Sequence, residues 1–514
     1  MQKILFSVLV SLTLSTQAQI PEDALRYSFY PQNGTARNLA IGGAMGSLGG
    51  DLNAAFVNPA GLGFYKTGEF VLSPSYLLNN NKINYRDAVT QNQFNHFNIG
   101  TIGFVLGYDN IYKPGVNNAL SFAVTQAANF NNRIEYKGLN NYSSFSEQFT
   151  EEFAKSGFTI DDALNTNSQF PFTSAPALYT FLIDTVTVDG ITQVKGAPEY
   201  ILDAGQALMQ EIDQVTSGGI TELAVSFAHN KNGKWLFGGT LGVPITNYKS
   251  SSTFRESDTS GNTSNNFKQF EYTDIFTTKG VGINAKLGAI YRPKDFVRLG
   301  IAVHTPTVSA MRDTRVATLS TQLENPIENF YVSSTTFTNG QPGQSNYLQT
   351  TPWKFIASGS YVFREVENTK NQKGFISADI EYISHKGSRF SSDTEQSTNE
   401  DDAYYKSLNN VVRNQYKGNF NFRAGGELKF NIIMARLGFA YYGNPYKDPA
   451  TKASRMLLSG GLGYRNKGIF FDLTYVHALT KDVIFPYRLE DRDNTFATLN
   501  QQRGNIAATI GFKF

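Results

Sequence analysis

Asn505-Ile-Ala-Ala-Thr-Ile-Gly-Phe-Lys-Phe514 alternates with a period of two. Ile506, Ala508, Ile510, Phe512 and Phe514 fall on one side; Asn505, Thr509, Gly511 and Lys513 fall on the other. Successive side chains of a β-strand point to opposite faces, so this strand has one apolar and one polar surface. A soluble sheet can contain such a strand. Here the pattern recurs along nearly the whole chain and stops on an aromatic carboxylate, which reads as the closing strand of a transmembrane β-barrel.

The strands upstream keep the same phase. Phe420, Phe422, Ala424, Leu428 and Phe430 alternate with Asn419, Asn421, Arg423, Glu427 and Lys429. Ile433, Ala435, Leu437, Phe439 and Tyr441 form a similar outward row, as do Val281, Ile283, Ala285, Leu287, Ala289 and Tyr291. About fourteen amphipathic strands can be placed from residue 69 onward, as a barrel with lipid outside and a polar lumen requires. They lie near 69–78, 95–108, 118–134, 219–229, 234–252, 268–292 and 296–310, then 351–364, 373–386, 416–430, 432–444, 454–465, 468–480 and 503–514. Tyr76, Tyr108, Tyr361, Tyr382, Tyr441 and Tyr464 suit the aromatic girdles at the two interfaces.

The connections sort into two classes. Tight turns fall at His229-Asn-Lys-Asn-Gly233, Arg292-Pro-Lys-Asp295, near Asn431 and at Arg465-Asn-Lys-Gly468. Long gaps alternate with them, notably about 135–218, 311–350, 387–415 and 481–502. Outer-membrane barrels have short periplasmic turns and long external loops, and an even strand count puts both chain ends in the periplasm. Two parts of the 135–218 insertion read as helical. Phe145, Phe149 and Phe153 recur every fourth residue in a stretch ending at Phe158. Ile201, Leu202, Leu208, Met209, Ile212 and Val215 form a helix-like pattern over 199–215. Both are expected to pack over the barrel mouth.

Composition points the same way. Forty Phe and 27 Tyr accompany only 17% charged residues, and the 45 Gly suit bends and close packing in sheets. A net charge of +2 makes no case for a nucleic-acid partner. Met1–Ala18, with Lys3, an apolar stretch from Ile4 to Leu14 and a small-residue exit, reads as a secretory signal peptide cut before Gln19. Beyond it no run of 18 or more apolar residues occurs, which argues against a helical membrane protein. The lack of cysteine removes lipidation at the cut, disulfides, thiolate metal sites and a cysteine nucleophile.

Residues 19–68 do not scan as strand. Gly34-Thr-Ala-Arg-Asn-Leu-Ala-Ile-Gly-Gly-Ala44 and Gly49-Gly-Asp-Leu-Asn-Ala-Ala-Phe-Val-Asn-Pro-Ala-Gly-Leu62 are small, Gly-rich and weakly amphipathic. A phosphate loop fails here, because no apolar strand precedes the glycines and no G-x-G-x-x-G or Lys-Ser/Thr ending is present. A compact plug folded into a wide lumen fits better. The expected organisation is therefore signal peptide 1–18, plug 19–68 and barrel 69–514.

Gly34-Thr-Ala-Arg37, Ala40-Ile-Gly-Gly-Ala44 and, most specifically, Asn58-Pro-Ala-Gly-Leu62 resemble the amino-terminal hatch of the FadL/TodX/OmpP1 family of outer-membrane transporters. The resemblance is sharp over the plug and architectural over the barrel. The Gly49-Gly-Asp-Leu52 run and long loops are similar to the version of the family common in Bacteroidetes. It implies passive uptake of hydrophobic compounds, such as long-chain fatty acids or small aromatics. The solute would be caught by external loops and released through the barrel wall into the membrane.

On that reading Asn58, Pro59, Ala60 and Gly61 form the turn that fixes the plug. Phe145, Phe149, Phe153 and Phe158 are candidate contacts for an apolar solute. Arg133, Lys137, Lys155, Arg312 and Arg315 are candidates for a carboxylate, chosen by loop or strand-end position. Expected surroundings are outer-membrane lipid and lipopolysaccharide, with the assembly machinery reading the last strand through Phe514. No cofactor or metal is called for: the histidines at 96, 229, 304, 385 and 477 lack metal-ligand spacing, and no nucleophile elbow occurs. Lumen carboxylates Asp379, Glu381, Glu427 and Asp472 are expected to pair with Arg423, Lys429 and Arg436 and brace the wall. The competing reading is a carrier or anchor for a secretion system on the same barrel, with a protein partner at the external loops.

Overall fold

A strand in hydrocarbon must satisfy its backbone on both edges, and this chain does so by closing a ring. The computed structural model describes residues 21–514 apart from 111, 114, 189, 325–326, 364–372, 394–396, 450 and 452. The signal peptide read at 1–18 lies outside the described residues. The barrel has fourteen antiparallel strands. The first seven are β1 (Glu69–Tyr85), β2 (His96–Asp109), β3 (Asn117–Asn129, continued by Asn132–Asn140), β4 (Leu208–Lys231), β5 (Trp235–Asp258), β6 (Gln269–Lys294) and β7 (Val297–His304, continued by Val308–Glu324). The rest are β8 (Gly343–Thr350 and Lys354–Phe363), β9 (Gly374–Ser384 and Arg389–Ser392), β10 (Gly418–Phe430), β11 (Ile433–Tyr442), β12 (Arg455–Asn466), β13 (Ile469–Ile484) and β14 (Ala497–Lys513).

Each strand pairs with its sequence neighbour. β14 returns to β1 from Glu69↔Lys513 to Asn84↔Thr498. Gly68 and Phe514 extend that seam by exchanging backbone hydrogen bonds of 2.8 and 3.0 Å. Turns at one end are tight, with Asn232-Gly233 and Lys467-Gly468 in the left-handed region that lets a two-residue turn follow the strand twist. The other end carries the long connections.

Leu437 is 75% exposed, and Ile301 and Leu287 are each 63% exposed, on an outward face of Leu, Ile, Phe and Val. Tyr76, Tyr108, Tyr361, Tyr441 and Tyr464 are exposed on the same outer surface. Trp235 stacks on Tyr291 at 4.3 Å beside the short turns. Tyrosine and tryptophan place a flat apolar body and a polar tip where hydrocarbon meets water.

Strands β4, β5 and β6 have 24, 24 and 26 residues, over twice the ~9–11 that cross a bilayer. They project past the membrane at the long-loop end. The region read as one insertion at 135–218 therefore gives up its edges to the extension of β3 and the start of β4. Likewise β7 runs to Glu324 and β8 begins at Gly343 inside the gap read at 311–350. The helix-like reading of 199–215 holds only for Glu199–Asp203. Leu208, Gln210 and Ile212 are buried on one face of strand β4, so a period of two overrides the apparent helical spacing.

Leu437→Arg puts a charge near the middle of the lipid-facing band and should destabilise the barrel by about 2–4 kcal/mol. Leu139→Arg, on the projecting part of β3, should cost under about 1 kcal/mol. Urea unfolding in lipid vesicles measures both.

Candidate functional site

The lumen is filled from the amino-terminal side by short pieces: α1 (Pro21–Arg26), α2 (Ala36–Ala40), α3 (Ala54–Val57) and a 3₁₀ turn at Pro59–Phe64. Small residues dominate because wall and plug backbones meet directly. Thr35 caps α2 by accepting from Asn38 N at 3.2 Å and gives its own hydroxyl proton to Asp51 at 2.9 Å. Ile41, Met45, Leu48 and Val57 pack on Ala302, Ile356, Val362 and Phe375 of the wall. Burying such a side chain contributes roughly 1.5–3 kcal/mol relative to leaving it in water.

Asn58 is the hub of the plug and is fully buried. Its Oδ1 accepts from Ala60 N at 3.1 Å, fixing the Asn-Pro-Ala turn. Its Nδ2 donates to Gly46 O at 2.6 Å across the plug and to Ile301 O at 3.2 Å on the wall. Pro59 starts the 3₁₀ turn where its missing N–H costs nothing, and Ala60 and Gly61 are buried behind it. Gly288 on β6 makes the space: a Cβ there would collide with Asn58 Oδ1. Gly238 on β5 does the same for the Pro59 carbonyl carbon.

Further ties run around the wall. Ala36 N donates to Thr509 Oγ1 at 2.7 Å, and Thr474 Oγ1 donates to Ala36 O at 2.7 Å. Thr240 Oγ1 reaches Ala55 O at 2.8 Å, and Asn117 Nδ2 reaches Gly63 O at 2.6 Å. Arg37 lies 3.6 Å from Glu427, which also takes Arg436 at 2.6 Å; Arg436 in turn binds Asp472. Arg423 joins Glu381 at 3.2 Å and Asp379 at 3.9 Å, and Asp379 accepts from Gly46 N at 3.0 Å. A buried charge needs such partners to offset its desolvation.

Beside the plug the wall parts. β2 and β3 pair only from Asp109↔Asn117 up to Thr101↔Thr125. Beyond that point β2 stays with β1 through Pro74↔Ile99 to Leu77↔His96. β3 stays with β4 through Gln126↔Thr221 and Asn129↔Gly219. Side chains cover the freed backbone groups: Asn33 Nδ2 donates to Gln126 O at 2.9 Å and Thr125 Oγ1 to Gly100 O at 3.0 Å. His96 Nε2 and Asn129 Oδ1 lie 3.1 Å apart across the parting. Behind it sits a cavity of about 510 Å³ reached by Asn33, Leu77, Asn98, Ala127 and Phe130.

The long-loop end is capped by α4 (Glu147–Ser156), α5 (Ile160–Ala163), α6 (Ser174–Tyr179) and α7 (Glu199–Asp203). Phe145, Phe149 and Phe153 are buried in the cap, with Phe145 stacked on Phe254 at 4.2 Å. Phe158 is exposed and meets Phe170 edge-on at 5.6 Å. Phe145, Phe149 and Arg315 come together around a cavity of about 280 Å³ under the cap. Arg315 is held there by Asp274 at 2.9 Å.

The other basic candidates lie elsewhere. Arg133 points outward and pairs with Asp213 at 2.8 Å, and Lys137 and Arg312 are exposed on the outer face. Lys155 pairs with Glu490 and Asp491 at 2.9 Å on the surface of the cap. Two arginines not singled out in the sequence, Arg455 and Arg503, line the cavity behind the parting. Parity would have found them: Arg503 shares the inward phase of Asn505 and Thr509, and Arg455 is out of phase with lipid-facing Met456 and Leu458.

A closed apolar-jacketed ring with a luminal plug defines an integral β-barrel of the outer-membrane class. Its fold is similar to that of the toluene transporter TodX of Pseudomonas putida, with 12% identity and a TM-score of 0.51 over 94% of this chain and 99% of that one. A FadL homologue of Pseudomonas aeruginosa gives 14% and 0.52 over 95% and 99%. No family model matches the sequence, and no curated protein matches it. At these identities the likeness is one of fold.

Gly288→Val should displace the Asn58 turn while the barrel still assembles. Hydrogen exchange over residues 54–64 should rise several-fold, with heat-modifiable gel migration unchanged; unaltered exchange would remove the proposed seat. A second expectation concerns the cap. Burial pushes the Glu199 carboxyl up to about 7, against the opposing hydrogen bond from Gly196 N. Burial also raises Glu147. The folded cap then holds protons that the unfolded chain releases near 4.5, so its stability falls as pH rises from there through about 7. Exchange in Glu199–Asp203, corrected for intrinsic rate, should be faster at alkaline than at mildly acidic pH, and Glu199→Gln should flatten the difference.

Proposed function

We propose that this barrel is a passive outer-membrane channel for hydrophobic compounds, such as long-chain fatty acids or small aromatics, with release sideways into the membrane. The observation that carries this reading is the parting between β2 and β3, which lies directly over a cavity beside the plug. An apolar solute loses its favourable environment in a water-filled pore, whereas a wall opening delivers it to hydrocarbon. The plug blocks straight passage toward the short-turn end. The long loops then face outward, and the aromatic cavity under the cap, with Phe145 and Phe149 on its wall, is the first apolar stop.

The fold shared with a toluene transporter and a FadL homologue supports the same reading. We further read the chain as the Bacteroidetes variant of such channels, on the Gly49-Gly-Asp-Leu52 run and the long loops. Lipopolysaccharide would surround the aromatic girdle, and the assembly machinery would engage β14.

Cells with the protein should take up labelled fatty acid or toluene several-fold faster than matched cells without it; equal uptake of all apolar solutes tested would sink the reading. The chain has no cysteine, so a staple across the parting is specific. The double variant His96→Cys/Asn129→Cys, bridged by a short bis-thiol-reactive linker held through disulfides, should lose most of that uptake and regain it when reduced. Full uptake in the linked form would rule out this exit.

A further inference from the structure

One row of the outer wall is cationic with no acid in it. Asn247 on β5 stands in register with Lys279 on β6, Lys279 with Arg312 on β7, and Arg312 with Asn346 on β8. All of these side chains are exposed on the outward face, so a row of hydrogen-bond donors crosses four neighbouring strands. Lys249, exposed on the same face, is opposite Thr277 and lies diagonally beyond Lys279. Like charges directly opposite each other on one face destabilise a sheet, so Lys279 beside Arg312 calls for a counter-anion.

The level of the row in the wall defines that anion. Directly beneath it, in the same register, lies an apolar row of Ile245, Val281, Ala310 and Leu348. On β6 the outward positions from Tyr291, beside the short turns, to Val281 are all apolar. That run matches the ~9–11 residues a tilted strand needs to cross hydrocarbon. Lys279 is the next outward position, roughly 7 Å further along. The row therefore sits where hydrocarbon gives way to head groups on the long-loop side. Arginines farther out are neutralised within the sheet: Arg133 by Asp213 at 2.8 Å, and Arg255 by Glu271 and by Glu211 at 3.6 Å. Arg312 donates to neutral Gln344 Oε1, and among the described residues no carboxylate lies within ion-pair distance of Lys249, Lys279 or Arg312.

We propose that Asn247, Lys279, Arg312 and Asn346 seat a phosphate group of an outer-leaflet glycolipid, whose acyl chains lie on Ile245, Val281 and Ile283 below. The lysine supplies a point charge, and the guanidinium offers a fork of N–H groups matched to phosphate oxygens. The flanking amides donate to the remaining oxygens or to sugar hydroxyls. One phosphate then removes the repulsion between two cations that the sheet leaves unbalanced. The site is independent of the solute and of the wall opening, and rests only on the long loops facing outward.

The test uses the full-length protein in a maltoside detergent near neutral pH, with labelled bisphosphorylated lipid A, its dephosphorylated form and inorganic phosphate as probes. The wild type should bind lipid A about tenfold more tightly than the dephosphorylated form, or better. Lys279→Gln/Arg312→Gln should bring that ratio to within about twofold by weakening lipid A alone, with heat-modifiable migration unchanged. Lys279→Arg, which keeps the charge, should keep the preference, as should Arg133→Gln, whose arginine has its own carboxylate. Equal binding of the two lipids by the wild type, or a preference that survives in the double variant, would overturn the seat. Displacement of lipid A by millimolar inorganic phosphate at constant ionic strength would assign the row to free phosphate and overturn the glycolipid.

Discussion

Hydrocarbon offers no hydrogen-bond partner, and that constraint governs the rest of this structure. It forces the chain into a ring, so that β1 must meet β14 along Glu69–Asn84. It also forces the two-residue alternation that jackets the ring in Leu, Ile and Phe while turning Ser, Thr, Asn and charged groups inward. A fourteen-strand ring encloses more space than its own side chains fill, and an unfilled lumen would be a water pore. The plug answers that geometric consequence.

The plug in turn shapes the wall. Its chain runs so close to the strands that Gly238, Gly288, Gly425 and Gly438 stand where any side chain would strike plug backbone or Asn58. Glycine weakens a strand interior, so these positions trade local sheet stability for close backbone approach. The polar ties are distributed around the ring, from Thr509 and Thr474 through Glu427 and Asp379 to Thr240. Each is worth about 1 kcal/mol net, so the seat is firm collectively and weak at any one point.

The membrane part of the fold was legible because lipid writes it into the chain: Ile506 to Phe514 and Phe420 to Phe430 alternate with nothing to compete. Where strands leave the bilayer, the outer face turns polar while inward Leu208, Ile212, Phe254 and Phe270 pack under the cap, so the lipid-facing signal stops. Hence Ser250-Ser-Ser-Thr253 continues β5 without any hydrophobic rhythm, and Leu208 to Val215 passed for helix. Asn58-Pro59 marks a turn in the sequence because Asn bonds the backbone two residues on and Pro fixes φ. The basic candidates were not readable in the same way. Arg133, Lys137 and Arg312 were picked by position along the chain, yet which way a side chain points depends on strand phase, and the phase was undefined in the gaps that hold Lys137 and Arg312 and at the strand end that holds Arg133. Arg455 and Arg503 sit in strands whose phase was plain, so parity alone places them on the inward face.

The parting between β2 and β3 is bridged mainly by neutral amides and hydroxyls: Asn33, Thr125 and Asn129, with Asn79 reaching Asn131 O at 3.2 Å and Asn81 reaching Asn132 Oδ1 at 2.9 Å beside it. Such bonds are exchanged for water at about 1 kcal/mol apiece. Undoing a few of them lies within reach of thermal fluctuation, at a population of roughly 0.1–10% for a gap of a few kcal/mol. As the exit proposed above, such a parting would flicker open. It would need neither a voltage nor an energised partner across the periplasm, and the direction of flow would be set by where the solute is scarcer.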